Sequence, residues 1–193
     1  MPYNKALLSG KFSAALQIFR RARRYNGIRG STLGILKWIR RILTGGPFYI
    51  RLSRDKINVI NSKSGSSFID EPIVAISEPP NRTILAIGSK ARIAGGVSIN
   101  PFSHPRLFVY EFEVLEKLFQ HAFSVVSNSR VLAPTPMVVI HVVEKLEGGL
   151  TDIEKRVLRE AAFSAGAYDV KLWEGPELTN QQLQAGEYTP GAI

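Results

Sequence analysis

The stretch of sequence that decides the fold runs from Met137 to Trp173 and reads MVVIHVVEKLEGGLTDIEKRVLREAAFSAGAYDVKLW. Its first part, Met137–Val143, is a continuous apolar and largely β-branched run, typical of a strand buried on both faces. Thr151–Ala165 predicts a helix, and Asp169–Trp173 predicts a short final strand. A strand, a helix and a strand in this order predict an α/β fold built on a central sheet.

Both helices predicted for this part of the chain have clear sequence signals. Thr151 and Glu154 have the spacing of a capping box, in which the two side chains bind each other's backbone N–H groups. Upstream, Glu111–Val126 predicts an amphipathic helix. The side chains expected on its buried side are Phe112, Leu115, Leu118, Phe119 and Phe123.

Four short strands are predicted before these helices. Phe48–Leu52 and Ile57–Asn61 are expected to pair with each other. Pro72–Ser77 and Thr83–Ile87 are separated by a turn-rich segment that contains two prolines. The predicted body of the protein therefore begins with strands and continues with alternating helices and strands.

The charge of the 193-residue chain is unevenly distributed. Residues 1–54 contain 12 Lys or Arg and no Asp or Glu, whereas the rest contains 13 basic and 16 acidic residues. Such asymmetry points to an anionic partner for the basic part. The chain has no cysteine, which excludes disulfide frameworks and cysteine-ligated metal sites. No stretch approaches the ~20 apolar residues of a membrane-spanning helix.

The basic N-terminal part, residues 1–46, predicts two amphipathic helices. The second lies between Ser31 and Thr44, and it combines an apolar face that includes a tryptophan with a purely cationic polar face. We expect it to bind an anionic membrane surface. The predicted membrane-binding residues are Ile35, Leu36, Lys37, Trp38, Ile39, Arg40, Arg41, Ile42 and Leu43. Docking on a protein is the first alternative, and nucleic acid ranks behind it because few aromatic residues are placed for base stacking.

Several collinear motifs give the body a family resemblance. They are Asp70-Glu71-Pro72, Ala86-Ile87-Gly88, Glu111-Phe112-Glu113-Val114-Leu115-Glu116-Lys117-Leu118, Thr151-Asp152-Ile153-Glu154-Lys155-Arg156, Arg159-Glu160-Ala161-Ala162, Ala165-Gly166-Ala167 and Val170-Lys171-Leu172. In this order and spacing they resemble the first half of MreB, the bacterial actin that determines cell shape. The resemblance implies the actin-like, ribonuclease H-like fold, specifically its first lobe with a central mixed sheet, over residues 47–177. Residues 178–193 are expected to form a polar tail.

The sequence departs from this family where the nucleotide phosphates would bind. The family has Asp-Leu-Gly-Thr in its first phosphate loop, and this chain has Arg51, Leu52, Ser53 and Arg54 there. The long arginine side chains are expected to fill the space of the phosphates. The sequence ends at Ile193 without the second phosphate loop, so we expect the adenosine-binding lobe to be missing.

One catalytic position of the family is retained. Glu154 matches the glutamate that positions the attacking water, but its capping-box role explains its presence without catalysis. The three histidines, His104, His121 and His141, do not have the spacing of metal ligands, and His141 is expected to be a satisfied core histidine. The segment Glu144-Lys145-Leu146-Glu147 resembles an insertion and is interpreted as a solvated loop able to contact a partner.

These observations together predict a non-catalytic, MreB-like scaffold or accessory subunit, a pseudo-ATPase without cofactor or metal. It is expected in the bacterial cytoplasm, peripheral at the inner membrane, bound to anionic lipid or a membrane protein complex. An actin-like partner or a second copy of the chain is a further expected contact. Two alternatives stay open: an ATP-binding cell-shape filament protein completed by another chain, and a nucleic-acid-binding accessory.

Overall fold

Two sheets and three helices make up the part of the chain that the computed structural model describes, residues 46–80, 82–127, 136–144 and 149–188. The strands are β1 (Phe48–Leu52), β2 (Ile57–Asn61), β3 (Ser67–Asp70), β4 (Val74–Ile76), β5 (Ile84–Ile87), β6 (Val97–Ile99), β7 (Met137–Val142) and β8 (Asp169–Trp173). The helices are α1 (Phe112–Ser127), α2 (Asp152–Ser164) and α3 (Asn180–Ala185), with a 3-10 helix over Gly88–Arg92. The two predicted N-terminal helices and all nine predicted membrane-binding residues lie outside the described residues.

The larger sheet has five strands in the order β3-β2-β1-β7-β8. The strands β1, β2 and β3 form an antiparallel meander, while β1, β7 and β8 run parallel to one another. The α2 helix connects β7 to β8, as a parallel pair requires. The central mixed sheet that the sequence predicted is therefore confirmed.

The main core lies between this sheet and the helices α1 and α2. Successive side chains of a strand point to opposite faces, so Phe48, Ile50 and Leu52 enter this core while Tyr49 does not. Phe112 was predicted on the buried side of α1, and this was wrong because it is 38 % exposed at the first turn of the helix. The buried face of α1 consists of Val114, Leu115, Leu118, Phe119, Ala122, Phe123 and Val126.

The opposite face of the sheet is covered in part by α3. Leu178 and Leu183 are buried there against Tyr49 and Val139, in a second apolar cluster. Thr179 caps α3 by a capping box with Gln182. The segment expected to be a polar tail thus contributes two buried leucines to the body.

A smaller three-stranded sheet, in the order β5-β4-β6, follows the meander in the sequence. The strands β3 and β6 were not predicted from the sequence, because each has only three or four residues and no long alternating pattern. Within the described ranges, no helix is both long and apolar enough to cross a membrane.

Candidate functional site at the carboxyl edge of the sheet

The carboxyl ends of β1, β7 and β8 lie at one edge of the larger sheet because these three strands are parallel. Ligands of open α/β sheets bind at this edge. The segments that leave the strands there are the turn of residues 53–56, Glu144 after β7, and Glu174–Glu177 after β8. This edge is therefore the candidate functional site, and it includes the loop that the sequence analysis singled out.

The four residues of that loop are placed in different environments. Leu52 is fully buried in the main core. Arg51 lies on the opposite face of the sheet and forms an ion pair with Glu177. The Ser53 N–H donates to the Lys56 carbonyl oxygen at 2.9 Å, which closes the turn between β1 and β2.

Arg54 joins three separate segments at this edge. Its Nε and its backbone N–H donate to Glu144 Oε1 and Oε2, each at 3.0 Å. Its Nη1 donates to the carbonyl oxygens of Phe102 and His104, at 3.3 and 2.7 Å. The segment that begins with Glu144 was interpreted as a solvated loop, but Glu144 itself is bound to the chain's own Arg54.

Glu154 is a buried carboxylate in which both oxygens accept hydrogen bonds. Oε1 accepts from the Phe108 N–H at 2.6 Å, and Oε2 accepts from the Thr151 N–H at 2.9 Å and from the Thr151 hydroxyl at 2.8 Å. The predicted capping box is present at the start of α2. Burial raises the pKa of Glu154, but these donors and the charge of Arg54 together lower the pKa by more than burial raises it. The pKa therefore lies below its ordinary value of 4.5.

A small cavity of about 190 Å³ opens beside the turn on the opposite face of the sheet. Arg51, Ser53, Lys56, Asn58, Val143 and Glu177 line it. Asn58 is only 6 % exposed, and its Oδ1 has no hydrogen-bond partner within the described part of the chain. The sequence analysis did not single out Asn58, although the apolar–polar alternation of INVIN in β2 places it on this face.

A row of neighbouring residues crosses four strands on the same face. Arg51 is the register partner of Asn58 on one side and of His141 on the other, and His141 is in turn paired with Trp173. His141 is a buried core histidine, as predicted, because its Nδ1 lies 2.6 Å from the Tyr49 hydroxyl. Tyr49 Oη also accepts from the Leu178 N–H at 3.3 Å, and which of Tyr49 and His141 donates to the other depends on the tautomer of the histidine.

This arrangement gives the stability of the protein a defined pH dependence. Burial, reinforced by the positive charge of Arg51, lowers the pKa of His141 from 6.5. The unfolded chain therefore binds a proton more readily than the folded protein, so the free energy of unfolding falls as the pH drops below about 6.5. We expect His141→Gln to reduce this loss between pH 7.5 and 5.5, as measured by urea unfolding.

His121→Gln is the matched control, because burial also lowers the pKa of His121 although Asp70 partly offsets that effect. His121 is on α1 and lies edge-on to Phe68 rather than beside Tyr49. The His121→Gln variant should therefore still show the loss of unfolding free energy toward low pH that His141 causes. An identical pH dependence of unfolding in wild type and His141→Gln would contradict this account of the Tyr49–His141 pair.

Three of the acidic side chains at this edge already have partners within the chain. Glu144 and Glu177 are each paired with an arginine, and Glu154 already accepts three hydrogen bonds. Across the described ranges, no three His, Asp or Glu side chains are grouped so that they could hold a metal ion.

Comparison with known proteins identifies relatives of one kind. The chain is 30 % identical over 128 residues to the cell shape-determining protein MreB of Pasteurella multocida, which covers 61 % of this chain and 35 % of that protein. It is 31 % identical over 118 residues to MreB of Haemophilus influenzae, covering 56 % of this chain and 32 % of that protein. The chain thus spans about a third of the length of these relatives. No protein-family model matches the chain.

Solved structures agree on the fold. MreB5 of Spiroplasma citri bound to AMPPNP superposes with a TM-score of 0.53 and 18 % identity, over 67 % of this chain and 38 % of that one. The same protein bound to ADP gives a TM-score of 0.53 and 19 % identity, over 68 % of this chain and 38 % of that one. The predicted resemblance to an MreB-type actin-like protein, and the actin-like fold, are confirmed.

The comparisons also correct one prediction. From Arg51–Arg54 and the end of the sequence we predicted that the chain is not an enzyme. That prediction is contradicted, because the solved MreB5 structures of this fold are bound to AMPPNP and to ADP. That prediction rested on the size of the arginine side chains. The structure shows that Arg51 turns to Glu177 and Arg54 to Glu144, so neither guanidinium extends freely from the edge.

Proposed function

We propose that this chain works as a scaffold or accessory subunit of a cell-shape-determining assembly at the inner surface of the cytoplasmic membrane. The chain is similar to part of an MreB-type actin-like protein. The observation that carries the proposal is the combination of an actin-like body with 12 basic and no acidic residues before Asp55. In this proposal the actin-like lobe contacts other actin-like subunits or a second copy, and the basic segment contacts anionic lipid.

The membrane contact is argued from residues 31–44. A helix with an apolar face and a cationic face lies in the plane of a membrane interface, with tryptophan at the boundary between acyl chains and headgroups. Each basic residue near an anionic surface contributes about 1 kcal/mol of attraction. Lys37, Arg40 and Arg41 supply that charge within the segment.

Trp38→Glu is expected to weaken binding to phosphatidylserine-containing vesicles at least tenfold in a co-sedimentation assay. The change removes the largest apolar side chain of the predicted interface and places a negative charge at the anionic surface. Thr44→Glu is the matched control: it adds the same charge on the predicted polar face and should weaken binding several-fold less. Wild-type vesicle binding by Trp38→Glu would rule out an interfacial helix, and retention of DNA in preference to vesicles would favour a nucleic-acid accessory.

A second candidate function is adenine-nucleotide binding within an assembly in which another chain supplies the second lobe. The position of the cavity and of the cationic side chains at the carboxyl edge of a parallel sheet favours it. The nucleotide-bound state of both solved MreB5 structures supports it as well. Titration calorimetry of the purified chain with ATP and magnesium tests it, with micromolar affinity as the expected result. Heat at the level of buffer dilution up to millimolar ATP would count against this second function.

A further inference from the structure

The Glu144 carboxylate lies at the turn between β1 and β2, where the backbone N–H and the guanidinium of Arg54 bind it. We propose that Arg54 forms an anion-binding site whose occupant in this structure is the chain's own Glu144. A ligand with a phosphate group binds there by displacing that carboxylate. This inference rests on the second candidate function above, nucleotide binding, and names a device that regulates it.

The donors around Glu144 have the arrangement of an anion site. The backbone N–H and the guanidinium Nε of Arg54 donate to different oxygens of one carboxylate, both at 3.0 Å. Phosphate groups are bound in proteins by this combination, a backbone amide together with an arginine that donates to a second oxygen. The carboxylate therefore has the contacts that two oxygens of a phosphate would have.

Other contacts hold these donors in place. The Nη1 atom of Arg54 donates to the carbonyl oxygens of Phe102 and His104. The carbonyl oxygen of Arg54 accepts from Asn100 Nδ2 at 2.8 Å. Removing Glu144 leaves these contacts intact, so the backbone N–H and Nε remain pointed at the vacated position. A preorganised site of this kind binds its ligand without the cost of ordering the side chain.

The Glu144 carboxylate is weakly held. The side chains of Arg54 and Glu144 are 30 % and 32 % exposed, and a partly solvated pair of this kind contributes little to stability. A phosphate group carries more negative charge than a carboxylate and competes well for the same donors. Arg51 and Lys56 line the cavity on the opposite face of the sheet, and they add positive charge at the same end of β1.

The test compares wild type with Glu144→Gln by titration calorimetry with ATP and with pyrophosphate. The glutamine keeps the size of the side chain but removes the competing charge. We expect Glu144→Gln to bind both ligands at least tenfold more tightly, and the double variant Arg54→Gln/Glu144→Gln to lose this gain. Asp152→Asn is the matched control, since it removes one negative charge from an exposed position next to the same edge and should leave affinity within twofold of wild type.

The outcomes separate the two proposals. Equal affinity of wild type and Glu144→Gln would overturn the proposal that Glu144 competes with the ligand, but it would not contradict nucleotide binding itself. An absence of binding in both proteins would overturn both. Should thermal unfolding show that Glu144→Gln is not folded, Glu144→Asp provides the same test, because it withdraws the carboxylate by one methylene. Its affinity for pyrophosphate should also exceed that of wild type, and an unchanged value would again overturn the proposal.

Discussion

Replacing Glu154 with alanine is expected to lower the free energy of unfolding by about 2–4 kcal/mol. The change removes the acceptor of the Phe108 N–H and abolishes the capping box at Thr151. Glu154 is 8 % exposed, so the abandoned Phe108 N–H gains little from water in return. Urea unfolding at pH 7 measures the loss.

Two further variants show why the loss occurs. Glu154→Gln keeps an acceptor for the Phe108 N–H, so its loss of unfolding free energy should be less than half of the loss in Glu154→Ala. Asp152→Ala removes an exposed carboxylate from the same first turn and should cost about 0.5 kcal/mol, the contribution of the helix dipole alone. A loss from Asp152→Ala as large as that from Glu154→Ala would attribute the effect to the dipole rather than to the buried hydrogen bonds.

The stabilisation of the folded state by Glu154 also depends on pH. Because the folded pKa lies below the ordinary value of 4.5, the stabilisation is present above that value and is lost as the pH falls through the folded pKa. Wild type and Glu154→Gln should therefore converge in stability toward low pH. This window is distinct from that of His141, which begins at about pH 6.5.

Arg54→Ala is expected to lower the free energy of unfolding by about 2–3 kcal/mol. The variant loses the contacts of the guanidinium with two carbonyl oxygens and with Glu144. Those contacts join the β1–β2 turn to two segments that are distant in sequence, so their loss should also speed hydrogen exchange at Phe102 and His104. Urea unfolding and amide exchange measure the two effects.

Arg51→Ala provides the comparison for Arg54→Ala. The variant also removes an arginine side chain, three residues earlier. The partner of Arg51 is Glu177, which is 62 % exposed, so this ion pair contributes about 1 kcal/mol at most. The prediction for Arg54 is contradicted if the two variants lose stability equally. Arg54→Lys should recover little, because the donors of an ammonium group all sit on one nitrogen and cannot replace both Nε, which binds Glu144, and Nη1, which binds the carbonyl oxygens.

Much of the fold could be predicted because its elements have local signals. β1, β2 and β8 span the residues predicted for them, and the capping box marked the start of α2 within one residue. Pro72–Ser77 was predicted too long: the strand is Val74–Ile76, since the proline at its start has no N–H to donate. The signal for these elements lies in side chains a few positions apart.

The site was less predictable because its contacts join residues that are far apart in sequence. Arg54 and Glu144 meet only because β1 and β7 pair in a register that places Leu52 beside Val142. No local pattern contains that register. The alternation in β2 placed Asn58 on the outer face, but only the packed structure shows that its Oδ1 lacks a partner within the described residues.

The position of β1 has a consequence for how the chain folds. β1 is the middle strand of the larger sheet, with β2 following it after a tight turn and β7 pairing about 90 residues later. The β1–β3 meander closes short loops and can form early, whereas β1 keeps an open hydrogen-bonding edge until β7 arrives. During synthesis on the ribosome this edge and the apolar side chains of β1 are exposed together. Chaperone binding to nascent chains should therefore be strongest before Val142 emerges and should fall once β7 has paired.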